Sequence, residues 1–280
     1  MSKIGHREKR RAYSIYTPID RRRSDQIYIS WNDEAAIIDD FQDDLLFNWT
    51  MTFSHHSEAS YCAYGCYKKN PKPPLESTFR QKIRKEFDER KNEAVWAVSN
   101  CGIEHRNNFV LDLGNHFPIS IRGNCETYLK HRVSKGTQIK FHSEKCGMGC
   151  LYDQFREQKF YLSLENRDRE DYVTEKFWRS ISMGIIPIVI SPRKRDYERI
   201  APKDSFIHFD DFDRDLKRLT TYLHQVSTDF DTYYKHRKWS IEFVALAKGE
   251  DVDPYRICEL CAQLNNQKST IYYKKLSDFF

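Results

Sequence analysis

Five residues between positions 165 and 176 carry side chains suited to gripping an anion and its sugar hydroxyls: Glu165, Asn166, Tyr172, Glu175 and Lys176. A lysine is a compact cation for a phosphate oxygen, while carboxylate, amide and phenol groups exchange hydrogen bonds with hydroxyls. Arg106 adds a second cation, whose planar fork suits two phosphate oxygens. In isolation, Glu175-Lys176 reads as an ordinary surface ion pair and Arg106 as a solvated arginine. The segments around them change that reading.

Phe160-Tyr161-Leu162-Ser163-Leu164 reads as a strand that ends in the polar tip Glu165-Asn166. A charged loop leads to Asp171-Tyr172-Val173-Thr174-Glu175-Lys176, and the helix that follows buries Phe177, Trp178 and Ile181 before Gly184 stops it. Ile185-Ile186-Pro187-Ile188-Val189-Ile190 is a second buried strand. A strand, helix and strand of this length form a βαβ crossover. The crossover places Glu165, Asn166, Tyr172, Glu175 and Lys176 at the carboxyl end of a parallel sheet and on a first helical turn. Unpaired N–H groups and the helix dipole favour an anion there, such as a nucleotide diphosphate.

The alternation extends along the chain. Strands are predicted at 26–31, 47–53, 95–98, 118–121 and 206–209, and helices at 79–91, 103–113, 213–225 and 229–243. This implies an α/β protein with a mostly parallel, doubly wound sheet. The domain boundary is placed near residue 90, so that 1–90 is the remnant of one α/β domain and 91–280 forms a second.

Lys plus Arg number 46 against 41 Asp plus Glu, a formal net charge of +5. That suits a phosphate-bearing substrate and does not point to nucleic acid; the basic runs at 7–11 and Arg21-Arg22-Arg23 lack aromatic interleaving and read as solvated linker. No apolar run approaches the ~20 residues of a spanning helix, and no apolar signal region follows Met1. The eight cysteines include Cys146 and Cys150, and Cys258 and Cys261, close pairs that read as disulfides, zinc ligands or free thiols. Asn48-Trp49-Thr50 is an N-glycosylation sequon if the chain enters the secretory route.

The run Leu164-Glu165-Asn166, then Asp171 through Trp178, then Gly184 through Val189 resembles the hallmark of α1,3-fucosyltransferases, glycosyltransferase family 10. Further matches at Phe47-Asn48-Trp49-Thr50-Met51, Tyr64-Gly65, Val98-Ser99-Asn100-Cys101 and 205–212 follow in the family's order. The resemblance covers nearly the whole chain except the front of the family protein. It implies a GT-B-like fold of two Rossmann-like domains, with 1–90 an incomplete acceptor-binding domain and 91–280 the donor domain. The implied reaction moves fucose from GDP-fucose, with inversion, to a hydroxyl of N-acetylglucosamine in a glycan or glycoprotein acceptor, in α1,3 linkage.

By the same resemblance Lys176 binds donor phosphate, Arg106 holds the pyrophosphate, Glu175 and Asn166 contact ribose or fucose, and Tyr172 contacts the nucleotide. Gly5-His6-Arg7-Glu8 is similar to a His-His-Arg-Glu tetrapeptide whose glutamate is the proposed base, which makes Glu8 a catalytic candidate beside Glu175; Glu34 aligns with another family glutamate and is next in line. Asp210-Asp211 matches a family segment in which aspartates cap the following helix, so no metal site is assigned and a divalent cation such as manganese is stimulatory rather than obligatory. The family's C-x-x-C near the carboxyl terminus is a disulfide element, making Cys258 and Cys261 disulfide candidates. Family members carry a membrane anchor and stem before the catalytic part. That implies the lumenal side of the Golgi cisterna membrane, with attachment only through an anchor outside this sequence. Departures at Gly5, Ala63, Ser191 and 31–36 bear on acceptor choice more than on donor binding. The rival reading is a catalytically inactive GDP-sugar-binding protein that keeps Lys176, Arg106 and Glu175.

Overall fold

The computed structural model describes residues 26–35, 47–142, 148–247 and 252–266. Glu8 lies outside them, as does Cys146. In chain order the elements are β1 (Ile29–Trp31), β2 (Trp49–Met51), β3 (Gly65–Lys69), α1 (Glu76–Glu89), β4 (Lys91–Val98), α2 (Glu104–Leu113) and β5 (Ile119–Gly123). There follow α3 (Glu126–Leu129), β6 (Ile139–His142), α4 (Met148–Arg156), β7 (Gln158–Leu162), α5 (Glu175–Ser182), β8 (Ile186–Val189) and α6 (Lys194–Ile200). The last are β9 (Ile207–His208), α7 (Leu216–Thr228), α8 (Phe230–Lys235), β10 (Phe243–Ala247) and α9 (Asp253–Asn266).

The chain divides into two compact units, one of residues 1–63 with 255–280 and one of 64–254. In the first, β1 and β2 run parallel with Ile29 beside Trp49 and Trp31 beside Met51. In the second, a six-stranded parallel sheet has the order β6-β5-β4-β7-β8-β9. The chain winds outward from β4 in one direction and from β7 in the other, so the topological switch point lies between these two central strands. Alternate side chains of β7 serve the two faces: Phe160 and Leu162 join Trp96, Val110, Leu113, Ile188, Leu219 and Leu223, whereas Tyr161 joins Val95, Phe155 and Ile185.

The division falls after Ala63 rather than near residue 90 because long-range pairing claims the intervening segment. β3 pairs antiparallel with β10, Gly65 opposite Ala247, and the Phe87 ring of α1 packs 5.3 Å from that of Tyr233 on α8. The same pairing ends the helix expected over 229–243 at Lys235, and the chain turns through a short 3-10 segment into β10. The Tyr64-Gly65 match has a packing reason too. A β-carbon on Gly65 would overlap the indole of Trp178 on α5.

Candidate functional site

β7 is buried along its whole length and delivers Ser163, Leu164 and Glu165 to the carboxyl end of the sheet. Ser163 extends the ladder, its N–H donating to the Ile188 carbonyl at 3.0 Å. Glu165 then has no exposed surface, so its carboxylate must be satisfied within the protein. The Thr174 backbone N–H donates to Oε1 at 2.8 Å, the Thr174 hydroxyl to Oε2 at 2.7 Å, and Lys176 Nζ to Oε2 at 2.9 Å. Lys176 also donates to Thr174 Oγ1 at 2.7 Å and lies 3.8 Å from Glu175 Oε1.

Thr174 is the N-cap of α5, yet its hydroxyl turns to Glu165 and makes no cap hydrogen bond. The first turn of α5 thus lacks the side-chain acceptor that normally occupies a helix start, while the Lys176 cation stands beside it. The start of α5, with its dipole, and the Lys176 cation thus lie together at the carboxyl end of the sheet, an arrangement suited to a phosphate group. Lys176 and Glu175 keep roughly a quarter of their side-chain surface open, 24% and 29%.

Arg106, on the first turn of α2, is only 3% exposed. It donates to the carbonyls of Asn100 and, at 3.4 Å, Leu164, while Nε has no partner. Burial lowers its pKa from the ordinary arginine value, and the nearby Glu165 carboxylate counters that. Arg106 therefore braces the loop after β4 against the tip of β7, its charge near enough to the Glu165 carboxylate to interact with it. His105 adds a second brace, 3.3 Å from the Glu165 carbonyl through Nε2. The sequence motif did not disclose that Glu165 is the common partner of these groups; a glutamate at the end of a mostly apolar strand was the available signal.

Asn166 Oδ1 is buried without a hydrogen-bond partner. Tyr172 is 3% exposed and meets Tyr64 edge-on at 6.0 Å. Ahead of it Asp171 adopts a left-handed φ of 62° and pairs with Arg199 of α6, which ties down the loop entering α5. A cavity of about 480 Å³ opens beside this loop, lined by His105, Phe109, Asp168, Ser191, Phe209 and Arg214. Its size is that of a small-molecule site, and the buried Ser191 hydroxyl has no protein partner.

Three expectations are corrected. Cys258 and Cys261 are free, exposed thiols on α9. Helix geometry holds them one turn apart on a solvent-facing surface, and the disulfide found instead joins Cys101 to Cys125, Cα atoms 5.3 Å apart. It links the loop carrying Asn100 to the segment after β5; Cys62 and Cys66 each take part in a disulfide as well. Asn48 is fully buried, its Oδ1 accepting from the Tyr28 N–H at 2.9 Å, which leaves no room for a glycan in the folded unit. In addition, Asp215 rather than Asp210 or Asp211 caps α7, while Asp210 and Asp211 pair with Arg214 and Lys194. Among the described residues no three His, Cys, Asp or Glu side chains form a group able to hold a metal. Glu34 is exposed in the first unit, its N–H donating to Asn32 Oδ1 at 2.9 Å.

Residues 87–279 match the family model described as glycosyltransferase family 10 (fucosyltransferase) C-term. The chain is 30% identical over 240 residues to glycoprotein 3-alpha-L-fucosyltransferase A of Drosophila melanogaster, an alignment spanning 83% of this chain and 43% of that protein. It is 28% identical over 239 residues to alpha-(1,3)-fucosyltransferase 4 of Mus musculus, spanning 84% and 50%. The chain thus spans about half the length of the curated relatives it matches. Its fold is like that of a crystal structure of an alpha1,3-fucosyltransferase with GDP-fucose, with a TM-score of 0.55 at 16% identity over 89% of this chain and 78% of that one. No helix among the described residues is long and apolar enough to cross a membrane. By the extent of the family match and by its 30% identity to the Drosophila enzyme, the chain belongs to glycosyltransferase family 10, the fucosyltransferases.

Proposed function

We propose that this chain transfers fucose from GDP-fucose to a hydroxyl of an N-acetylglucosamine-containing glycan in α1,3 linkage, with inversion. The observation that carries the reading is Lys176, held at the uncapped start of α5 by the buried Glu165. In a single displacement the acceptor oxygen attacks the anomeric carbon, a carboxylate takes its proton, and the bond to the diphosphate breaks. Lys176 and the helix terminus stabilise the charge that develops on the departing GDP, with the buried Arg106 adding positive potential near Glu165. Glu8 is the proposed base, with Glu34 the alternative. Asn166 and Glu175 contact the ribose or fucose, and Tyr172 the nucleotide. These cationic groups support turnover without an obligatory metal, a divalent cation such as manganese acting only as a stimulant.

The Cys101–Cys125 disulfide supports an oxidising compartment and hence the lumenal side of the Golgi cisterna membrane. Incubating the purified chain with GDP-fucose and a glycan panel tests the reading. Fucosylated product released by an α1,3-specific fucosidase is the expected result. GDP-fucose binding without product on any acceptor would instead favour a sugar-nucleotide-binding protein.

A further inference from the structure

The first compact unit carries a feature that donor binding does not use. Trp31, at the end of β1, is 58% exposed, unusual for so large an apolar side chain. It is nevertheless pinned: its indole N–H donates to Asp33 Oδ2 at 3.2 Å, and the Arg256 guanidinium lies over the ring, 5.4 Å from its centroid. Arg256 is itself 2% exposed and reaches both Asp33 oxygens at 2.7 Å. The backbone is fixed as well, since Asn32 N–H donates to the Met51 carbonyl and Glu34 N–H to Asn32 Oδ1. A buried ion pair thus holds a water-facing indole in one orientation.

A rigid indole costs little entropy to order when something binds it, so its exposed face is ready for contact. Arg256 already takes one face, leaving no role for a cationic ligand on it. Asp33 Oδ2, which accepts from the indole N–H, places a polar group at the ring's edge. A flat aromatic face with polar groups at its edge suits a pyranose ring, which turns axial C–H groups to the ring and equatorial hydroxyls outward.

We propose that Trp31 is a stacking platform for a pyranose ring of the acceptor glycan, held in place by the Asp33–Arg256 pair. This rests on the glycan-acceptor reading of the proposed function. Trp31→Ala and Trp31→Phe in the full chain, assayed with N-acetyllactosamine and with a core N-glycopeptide, are the test. For the preferred acceptor, Trp31→Ala should raise KM about tenfold or more, Trp31→Phe less, with kcat at saturation and calorimetric GDP affinity unchanged. Wild-type tryptophan emission should shift on titration with that acceptor, and the shift should vanish in Trp31→Phe. Unchanged KM, or an emission shift that survives in Trp31→Phe, overturns the platform. If no turnover occurs, the emission titration still decides: a Trp31-dependent shift keeps the platform while the transferase reading fails, and no shift with any glycan overturns the platform.

Discussion

Lys176 Nζ lies 2.9 Å from Oε2 of Glu165, a carboxylate with no exposed side-chain surface. The pair joins the end of β7 to the first turn of α5 across eleven residues of sequence. Lysine alone on a helix surface would sample many rotamers. Tied to a buried counter-charge, it presents its remaining donor capacity at one place.

Glu165→Ala should therefore be costly to the fold. It leaves the Thr174 N–H without its acceptor and takes the counter-charge from Lys176 and Arg106. Breaking a buried pair from one side typically costs ~3–5 kcal/mol, to be read from urea unfolding. A loss under about 1 kcal/mol, the scale of an exposed pair, would contradict the buried-anchor account.

Lys176→Ala should act on ligand more than on fold. GDP-fucose binding by calorimetry should weaken by ~1.5–3 kcal/mol, the scale of a charged hydrogen bond. Equal affinity in wild type and variant would remove Lys176 from the phosphate site.

The Cys101–Cys125 bond closes a loop with a sequence separation of 24. Chain-entropy reasoning gives a stabilisation of ~3 kcal/mol for such a loop. The double variant Cys101→Ser, Cys125→Ser should lose about that much, and GDP binding should weaken with it because the loop bears the carbonyl that holds Arg106. A variant as stable as the parent under non-reducing conditions would refute the clamp.

Lys159 on β7 is buried, donating to Asn92 Oδ1 at 2.6 Å and to the Ser227 carbonyl at 2.8 Å. Desolvation lowers its pKa from 10.5 to about 8. Between about pH 8 and 10.5 the unfolded chain keeps this proton and the folded chain does not, so Lys159 makes stability rise with pH across that window. Compared with Lys159→Met, the wild type should gain in Tm from pH 8 to 10; parallel curves for the two proteins would contradict the shift.

The base is tested by Glu8→Gln and Glu34→Gln, each isosteric and unable to take a proton. Loss of a positioned base lowers turnover by ~100- to 10,000-fold. The expected outcome is that Glu8→Gln falls in this range with GDP affinity intact. An active Glu8→Gln beside an inactive Glu34→Gln transfers the role to Glu34.

The βαβ unit was legible in sequence because its determinants are local. An apolar strand, a polar tip, a helix start and Gly184 follow within one crossover, and Gly184 does adopt the left-handed φ of 67° that ends the helix. The same local pattern puts Asn166 and Lys176 at the carboxyl end of the sheet, Lys176 on the first turn of α5. What sequence could not order was every relation set by distant partners. β3 and β10, some 175 residues apart, pair and so move the division of the chain to residue 63. Cys101 chose Cys125, leaving Cys258 and Cys261 free, because a disulfide follows Cα proximity and not spacing in the chain. Asn48 met the sequon rule but is buried beside the start of β1, where its amide oxygen accepts from the Tyr28 N–H. Glu165 stood in plain sight as a strand-end carboxylate; that Thr174, Lys176 and Arg106 converge on it was decided only when the tertiary structure removed it from water, since a buried charge must gather its partners from wherever the fold supplies them.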